Sequence, residues 1–139
     1  MNITYWIISL TLDQYFKNTG KKKKVQEFST SQKKKVQRMN KGDQFIYYLN
    51  DKNKFIAISE LRSEDFEVIT EETLVIKIRK VTSLSLTNCV DADQIGPRLE
   101  YVKRWVPERW RLAMVGSLHI ISRNDYDLIR SSIDSHNIS

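Results

Sequence analysis

Residues 28–49 read FSTSQKKKVQRMNKGDQFIYYL, a basic stretch, a glycine turn and then an aromatic run. Ser29 and Gln32 have the spacing of a capping box, in which side chains satisfy backbone N–H groups left open at a helix start. Lys41 beside Gly42 has the character of a helix end, where the dipole favours cations and glycine permits a left-handed exit. The segment therefore predicts a basic helix from Ser29 to Lys41 and a tight turn at Gly42-Asp43. Gln44-Phe45-Ile46-Tyr47-Tyr48-Leu49 follows, β-branched and aromatic, with the composition of a strand buried on both faces. A charged surface is thus joined directly to the core.

Working outward, Ile3 to Leu10 predicts a first strand, and Leu12, Tyr15 and Phe16 a short helix capped at Thr11 or Asp13 and ended by Gly20. Lys21, Lys22, Lys23 and Lys24 predict a loop tip, because adjacent lysines repel and gain nothing from burial. Val25 and Phe28 return the chain to the protein. Downstream, residues 50–53 predict a hairpin loop into a strand over residues 54–61. Residues 62–73 carry little pattern. Residues 74–79 alternate as a half-exposed strand, and residues 81–87 suggest a further one. Leu99, Val102 and Trp105 have short-helix spacing, and Pro107 suits the first turn of another helical piece. Leu118 to Ile121 predicts a short strand, and Ser122 with Asp125 caps a closing helix bearing Tyr126, Ile129 and Ile133 on one face. The expectation is one α+β domain over residues 1–139, about six strands curled into a small barrel with peripheral helices.

Charge is concentrated. Twenty-three basic and 17 acidic residues give a net +6, yet residues 17–41 alone hold ten basic groups and one acid, so the rest of the chain is slightly acidic. A local basic surface steers polyanions. A solvated lysine-rich face explains the same composition, and the two readings stand level at this point. The single cysteine, Cys89, makes no internal disulfide and fits a small, buried side chain in a reducing cytoplasm. No apolar run approaches the ~20 residues of a membrane span.

Catalytic and metal signatures are missing from the sequence. One cysteine with His119 and His136 furnishes no ordinary zinc set. There is no glycine-rich phosphate loop and no nucleophile elbow. His119, inside an apolar strand, suits a hydrogen-bonded structural role better than a catalytic one. The expectation is a non-enzyme without cofactor or metal. Aromatic residues offer more: flat rings bordered by cations hold exposed bases by stacking and phosphate contact. Trp6, mid-strand, reads as core. Trp105 and Trp110, near Arg98, Lys103, Arg104, Arg109 and Arg111, read equally as pocket rim or structural plug.

Several stretches together resemble the EVE domain of the PUA-like superfamily. They are Tyr5-Trp6-Ile7-Ile8-Ser9, Arg38-Met39-Asn40-Lys41-Gly42-Asp43 leading into Tyr47-Tyr48, and Phe55-Ile56-Ala57-Ile58-Ser59-Glu60. The later pieces are Arg98-Leu99-Glu100-Tyr101-Val102-Lys103, Pro107-Glu108-Arg109-Trp110, Gly116-Ser117-Leu118-His119 and Asp125-Tyr126. The resemblance covers nearly the whole chain in order, and implies a PUA-like β-barrel related to the YTH readers of methylated adenine in RNA. It implies a reader of modified bases, with an aromatic and polar pocket near the end of the first strand. By position it assigns Ser9, Leu10, Phe28, Ser31 and Gln32 to that pocket, joined by Trp105 and Trp110 on the aromatic argument above. Lys21 to Lys24 with Lys33, Lys34, Lys35 and Arg38 would meet phosphates of RNA or DNA. The chain departs from the family at Ser31 and Gln32, where relatives often carry histidine or arginine. It also reads Arg111-Leu112-Ala113-Met114-Val115-Gly116 where relatives often have Gly-Leu-Ala-Phe-Gln-Gly. Two alternatives stand beside this reading. One is an enzyme on a nucleotide or small anion, with His119 or Glu60 as base. The other is a protein-interaction domain using its basic face.

Overall fold

A computed structural model describes residues 2–19, 25–103 and 105–137. Strand β1 (Tyr5–Leu10) leads to helix α1 (Leu12–Thr19), then β2 (Val25–Ser29) and one helical turn α2 (Lys33–Val36). Strands β3 (Gln44–Leu49), β4 (Lys54–Leu61), β5 (Glu67–Val68), β6 (Thr73–Ser83) and β7 (Val90–Asp91) follow. Short 3-10 turns connect β7 to β8 (Leu118–Ile121), and α3 (Arg123–Asn137) closes the chain. The strands form one curled, half-barrel sheet in the order β2-β6-β4-β3-β1-β8, with β5 on β6 and β7 on β4. No helix among the described residues is long and apolar enough to cross a membrane.

Local chemistry explains the central elements. Thr11 caps α1 through a reciprocal pair, its hydroxyl accepting from the Gln14 backbone N–H while the Gln14 side chain accepts from the Thr11 N–H. Gly42 takes a positive φ of 98°, which a side chain would strain, and turns the chain into β3. The apolar run of β3 is explained by its position, because its strand is parallel to β1 on one side and antiparallel to β4 on the other. On one face of β3, Gln44 takes a hydrogen bond from Tyr126 of α3; on the other, Tyr47 meets the Tyr15 ring of α1 at 5.5 Å. Both faces are therefore covered, so no polar alternation is needed.

Curvature comes from two register shifts, at Tyr47/Tyr48 in the β3–β4 pair and at Ile58/Ser59 in the β4–β6 pair. An extra residue on one strand bends the ladder and increases its twist. The long β6 spans both halves: residues 73–77 pair with β2, and residues 78–83 pair with β4. This strand replaces the two expected over residues 74–79 and 81–87.

Further expectations are corrected. The helix from Ser29 to Lys41 is a single α-turn, preceded by a 3-10 turn at Thr30–Gln32. Thr30 is tied to the β5–β6 hairpin instead, its N–H bonded to Glu72 O and its hydroxyl to Glu71 O. Ser29 does cap, but it caps the 3-10 turn through Ser31 N–H, and Gln32 makes no capping bond. Val25 to Ser29 is a strand, and where Leu99, Val102 and Trp105 had short-helix spacing there is a single 3-10 turn, Glu100–Val102. Cys89 is half-buried, its thiol directed at Leu86 O. The expected lysine loop, Lys21 to Lys24, and the expected helix stop at Gly20 lie outside the described residues.

Beneath the sheet ends sits Asp43, fully buried. Its carboxylate accepts from Thr4 N–H, from the Trp6 indole N–H and from Asn40 N–H, each at 3.0 Å. Charge-assisted bonds of this kind stabilise by about 1.5–3 kcal/mol each, and a stranded buried donor costs about 1–3 kcal/mol. Asp43→Asn retains one oxygen but turns an NH2 toward at least one of these donors. The expected outcome is a loss of about 2–4 kcal/mol in urea unfolding, with larger damage for Asp43→Leu.

Candidate functional site

The curl leaves β1 and β2 facing each other without a ladder between them, and a cleft of about 820 Å3 occupies that opening. Ile8, Ser9 and Leu10 of β1 form one wall, and residues 26–32 form the other, with Gln14 and Lys17 of α1 at one side. Glu72 and Thr73 of the β5–β6 hairpin and Ser117 complete the lining. Phe28 is 6% exposed and is the one aromatic residue of the lining. Hydroxyl and amide groups dominate the remainder, and the charged members are Lys17, Glu27 and Glu72. Among the described residues, then, the lining carries one cation and two acids.

A second cavity of about 560 Å3 adjoins the first and shares Ser9, Gln14 and Ser117 with it. Its other walls include Tyr48, Asn50 and the segment Arg111, Leu112, Met114, Val115 and Gly116. Arg111 is held there by its Nε on the Tyr48 hydroxyl at 3.2 Å and an Nη on Asn50 O at 2.7 Å. Asn50 in turn donates from its side chain to Ser9 Oγ at 3.1 Å. Burial raises the Tyr48 pKa although Arg111 acts against it, so its hydroxyl keeps its proton and donates to Asn53. A chain of polar contacts therefore links the guanidinium to the rim shared by both cavities.

The structure gathers Ser9, Leu10, Phe28, Ser31 and Gln32 around one cavity. The two tryptophans lie elsewhere. Trp110 is 2% exposed, donates its indole N–H to Asp93 at 2.9 Å and lies against Gly96, where a Cβ would overlap the ring. It is a structural plug behind Tyr48, whose ring centre is 5.9 Å away. Trp105 is 43% exposed and lines neither cavity. Among the basic groups, Lys33 points its amine toward the Phe66 ring at 5.9 Å, and Lys35 donates to Leu118 O at 3.2 Å, next to Ser117 at the cavity. Lys34 and Arg38 are exposed on the same segment, directly after Gln32.

Neither possible base stands in these cavities. Glu60 pairs with Arg79 at 2.9 Å and Arg62 at 3.8 Å. His119 is buried between Gly116 O, 3.0 Å from Nε2, and the Tyr101 hydroxyl, 2.9 Å from Nδ1. A carbonyl only accepts, so Nε2 carries the proton and Nδ1 accepts from Tyr101. Burial lowers the His119 pKa, opposed by its bond to the Gly116 carbonyl. No cluster of metal-ligating side chains occurs among the described residues. Sequence reasoning missed Gln14, Gln26 and Thr73 as cavity residues, and Val25-Gln26-Glu27-Phe28-Ser29, with three polar residues in five, carries no signal that Gln26 faces inward.

No protein-family model matches this chain, and no curated protein matches it by sequence. Solved structures do. The protein Rpa0253 from Rhodopseudomonas palustris superposes with a TM-score of 0.60 at 18% identity, over 96% of this chain and 94% of that one. The Pho92 YTH domain, solved with m6A, gives 0.66 at 13% identity over 100% and 91% of the two chains. The YTH domain of the Zygosaccharomyces rouxii MRB1 protein, solved with N6-methyladenosine RNA, gives 0.70 at 11% over 95% and 85%. The fold is the one these domains share.

A depressed histidine pKa has a stability consequence. The unfolded chain takes up a proton near pH 6.5 that the folded chain resists, so His119 contributes stability above that pH and loses it as pH falls. Thermal unfolding between pH 7 and pH 5 is expected to show a falling Tm whose slope flattens in His119→Gln.

Proposed function

We propose that this protein is a nucleic-acid reader of the EVE and YTH kind that takes one extruded base, modified or not, into the cleft between β1 and β2. The observation that carries the reading is the division of labour around that cleft. Among the described residues its lining is uncharged except at Lys17, Glu27 and Glu72, whereas Lys33, Lys34, Lys35 and Arg38 follow immediately on the chain. A neutral heterocycle with hydrogen-bonding edges suits the cavity, and phosphates suit the cations beside it. Lys21 to Lys24 would add further phosphate contacts. Phe28 supplies one stacking face, and Ser9, Leu10, Ser31 and Gln32 line the cavity around the base. RNA is the preferred partner, because the fold is shared with domains solved on RNA or on its methylated adenosine. DNA is the comparison to be run beside it.

The enzymatic alternative draws no support from His119 or Glu60, whose partners are structural. A protein-interaction surface would not need a cleft of this depth.

Binding is measured by fluorescence anisotropy on single-stranded RNA and DNA carrying a central A, C, G, U or methylated base. Micromolar or tighter binding to at least one oligonucleotide is expected, with log K falling against log salt by roughly 0.7 for each phosphate contacted. Absence of binding to every oligonucleotide, or an affinity indifferent to salt, would refute the reading. Phe28→Leu, which keeps bulk but removes the ring face, should weaken binding by about 1–3 kcal/mol while the protein stays folded.

A further inference from the structure

Gln26 stands out on β2. It is 2% exposed, on a strand where valine or isoleucine would fill the same place without polar cost. Its Nε2 donates to Glu27 O at 2.9 Å. Turning the amide over would set two oxygens against each other, so the carbonyl bond fixes which way the side-chain oxygen points. That oxygen, Oε1, is the one buried side-chain polar atom among the described residues that finds no hydrogen-bond partner. Gln26 also lines the larger cavity, two residues before Phe28 and therefore on the same face of the strand.

Three neighbouring hydroxyl groups already have partners. Ser29 Oγ accepts from the backbone and hydroxyl of Ser31, and Thr30 donates to Glu71 O. Ser9 Oγ accepts from Asn50. Gln26 Oε1 differs from all of them in having no partner within the protein. An unpaired buried acceptor weakens the free protein and rewards a ligand that brings a donor, a gain that a ligand without one forgoes.

We propose that Gln26 is the specificity-determining residue of this cavity, its Oε1 accepting a hydrogen bond from an N–H group of the bound base. The inference rests on the base-reader reading above and narrows it to bases whose amino group keeps at least one N–H. Unmodified and singly alkylated aminopurines or aminopyrimidines meet that requirement. Doubly alkylated ones carry no hydrogen on that nitrogen and leave the oxygen unpaired.

The test uses the full chain and two series of single-stranded RNA, one with central adenosine, N6-methyladenosine or N6,N6-dimethyladenosine, the other with the matching cytidines. Wild type is expected to bind the best N–H-bearing member at least roughly ten-fold tighter than its dimethylated counterpart. Gln26→Met, nearly isosteric but without an acceptor, should reduce that gap to about three-fold or less through weaker binding of the N–H-bearing member. Gln26→Leu serves the same purpose should the methionine variant fail to fold, and circular dichroism establishes folding in each. Equal binding of singly and doubly alkylated bases by wild type overturns the assignment of Gln26 but leaves the base-reader reading standing. A gap that persists in the folded variant does the same. Failure of wild type to bind any RNA of either series overturns the narrowed specificity, and the wider oligonucleotide panel then decides whether base reading itself fails.

Discussion

A buried carboxylate is expensive unless its oxygens are fully engaged, and Asp43 meets that condition with backbone and indole donors alone. Those donors come from the entry to β1, from its second residue and from the turn before β3. The carboxylate therefore sets where β1 begins relative to β3. Parallel strands have no hairpin to fix their register, so a side-chain anchor at their common start does that work. The register that results sets Tyr5 beside Gln44 and Ser9 beside Tyr48. Everything the cavity needs from β1 depends on that alignment, since a shift of one residue would exchange the faces of Ile8, Ser9 and Leu10.

Above this anchor, the sheet makes a binding space by failing to close. Two bulges bend β4 against its neighbours, and β6 carries the bend across to β2. The opening between β1 and β2 is filled by short polar side chains, which cannot pack as a core and so leave room. Its walls are nonetheless supported. Thr30 is tied to the β5–β6 hairpin, Ser9 N–H bonds to Ser117 O, and Asn50 braces Ser9 from the far side. A ligand would meet a largely formed site, which limits the ordering cost of binding.

The central strands were legible because Gln44–Leu49 and Lys54–Leu61 are buried on both faces and carry an unbroken apolar signal. The half-barrel class follows from them. β2 was not legible. Val25–Ser29 contains Gln26 and Glu27, and inward polarity at Gln26 hides the alternation on which strand recognition depends. The missed strand also explains the overextended helix. Lysine-rich residues after Ser29 have helical spacing, but Thr30 is pulled to the hairpin at Glu71 and Glu72, a tertiary contact that local propensity does not report. Trp110 shows the same limit. Its arginine neighbours left rim and plug level, and it is Gly96, a contact the local sequence does not report, that supplies the flat surface that buries it. Residues near the end of β1 and around Phe28 were foreseeable from family resemblance; Gln14 and Thr73 enter the cavity only through the curl of the sheet.

The placement of β1 between β3 and β8 has a kinetic side. One partner begins at Gln44 and the other at Leu118, so β1 is completed by strands made well after it. Pairings this distant along the chain slow folding, because loop closure must precede the contacts that reward it. During synthesis the apolar Trp6-Ile7-Ile8 segment has both edges open until β3 emerges, and one edge open until β8 does. The nascent chain is therefore prone to misassociation in that interval, and β1 is the segment with most to gain from a chaperone.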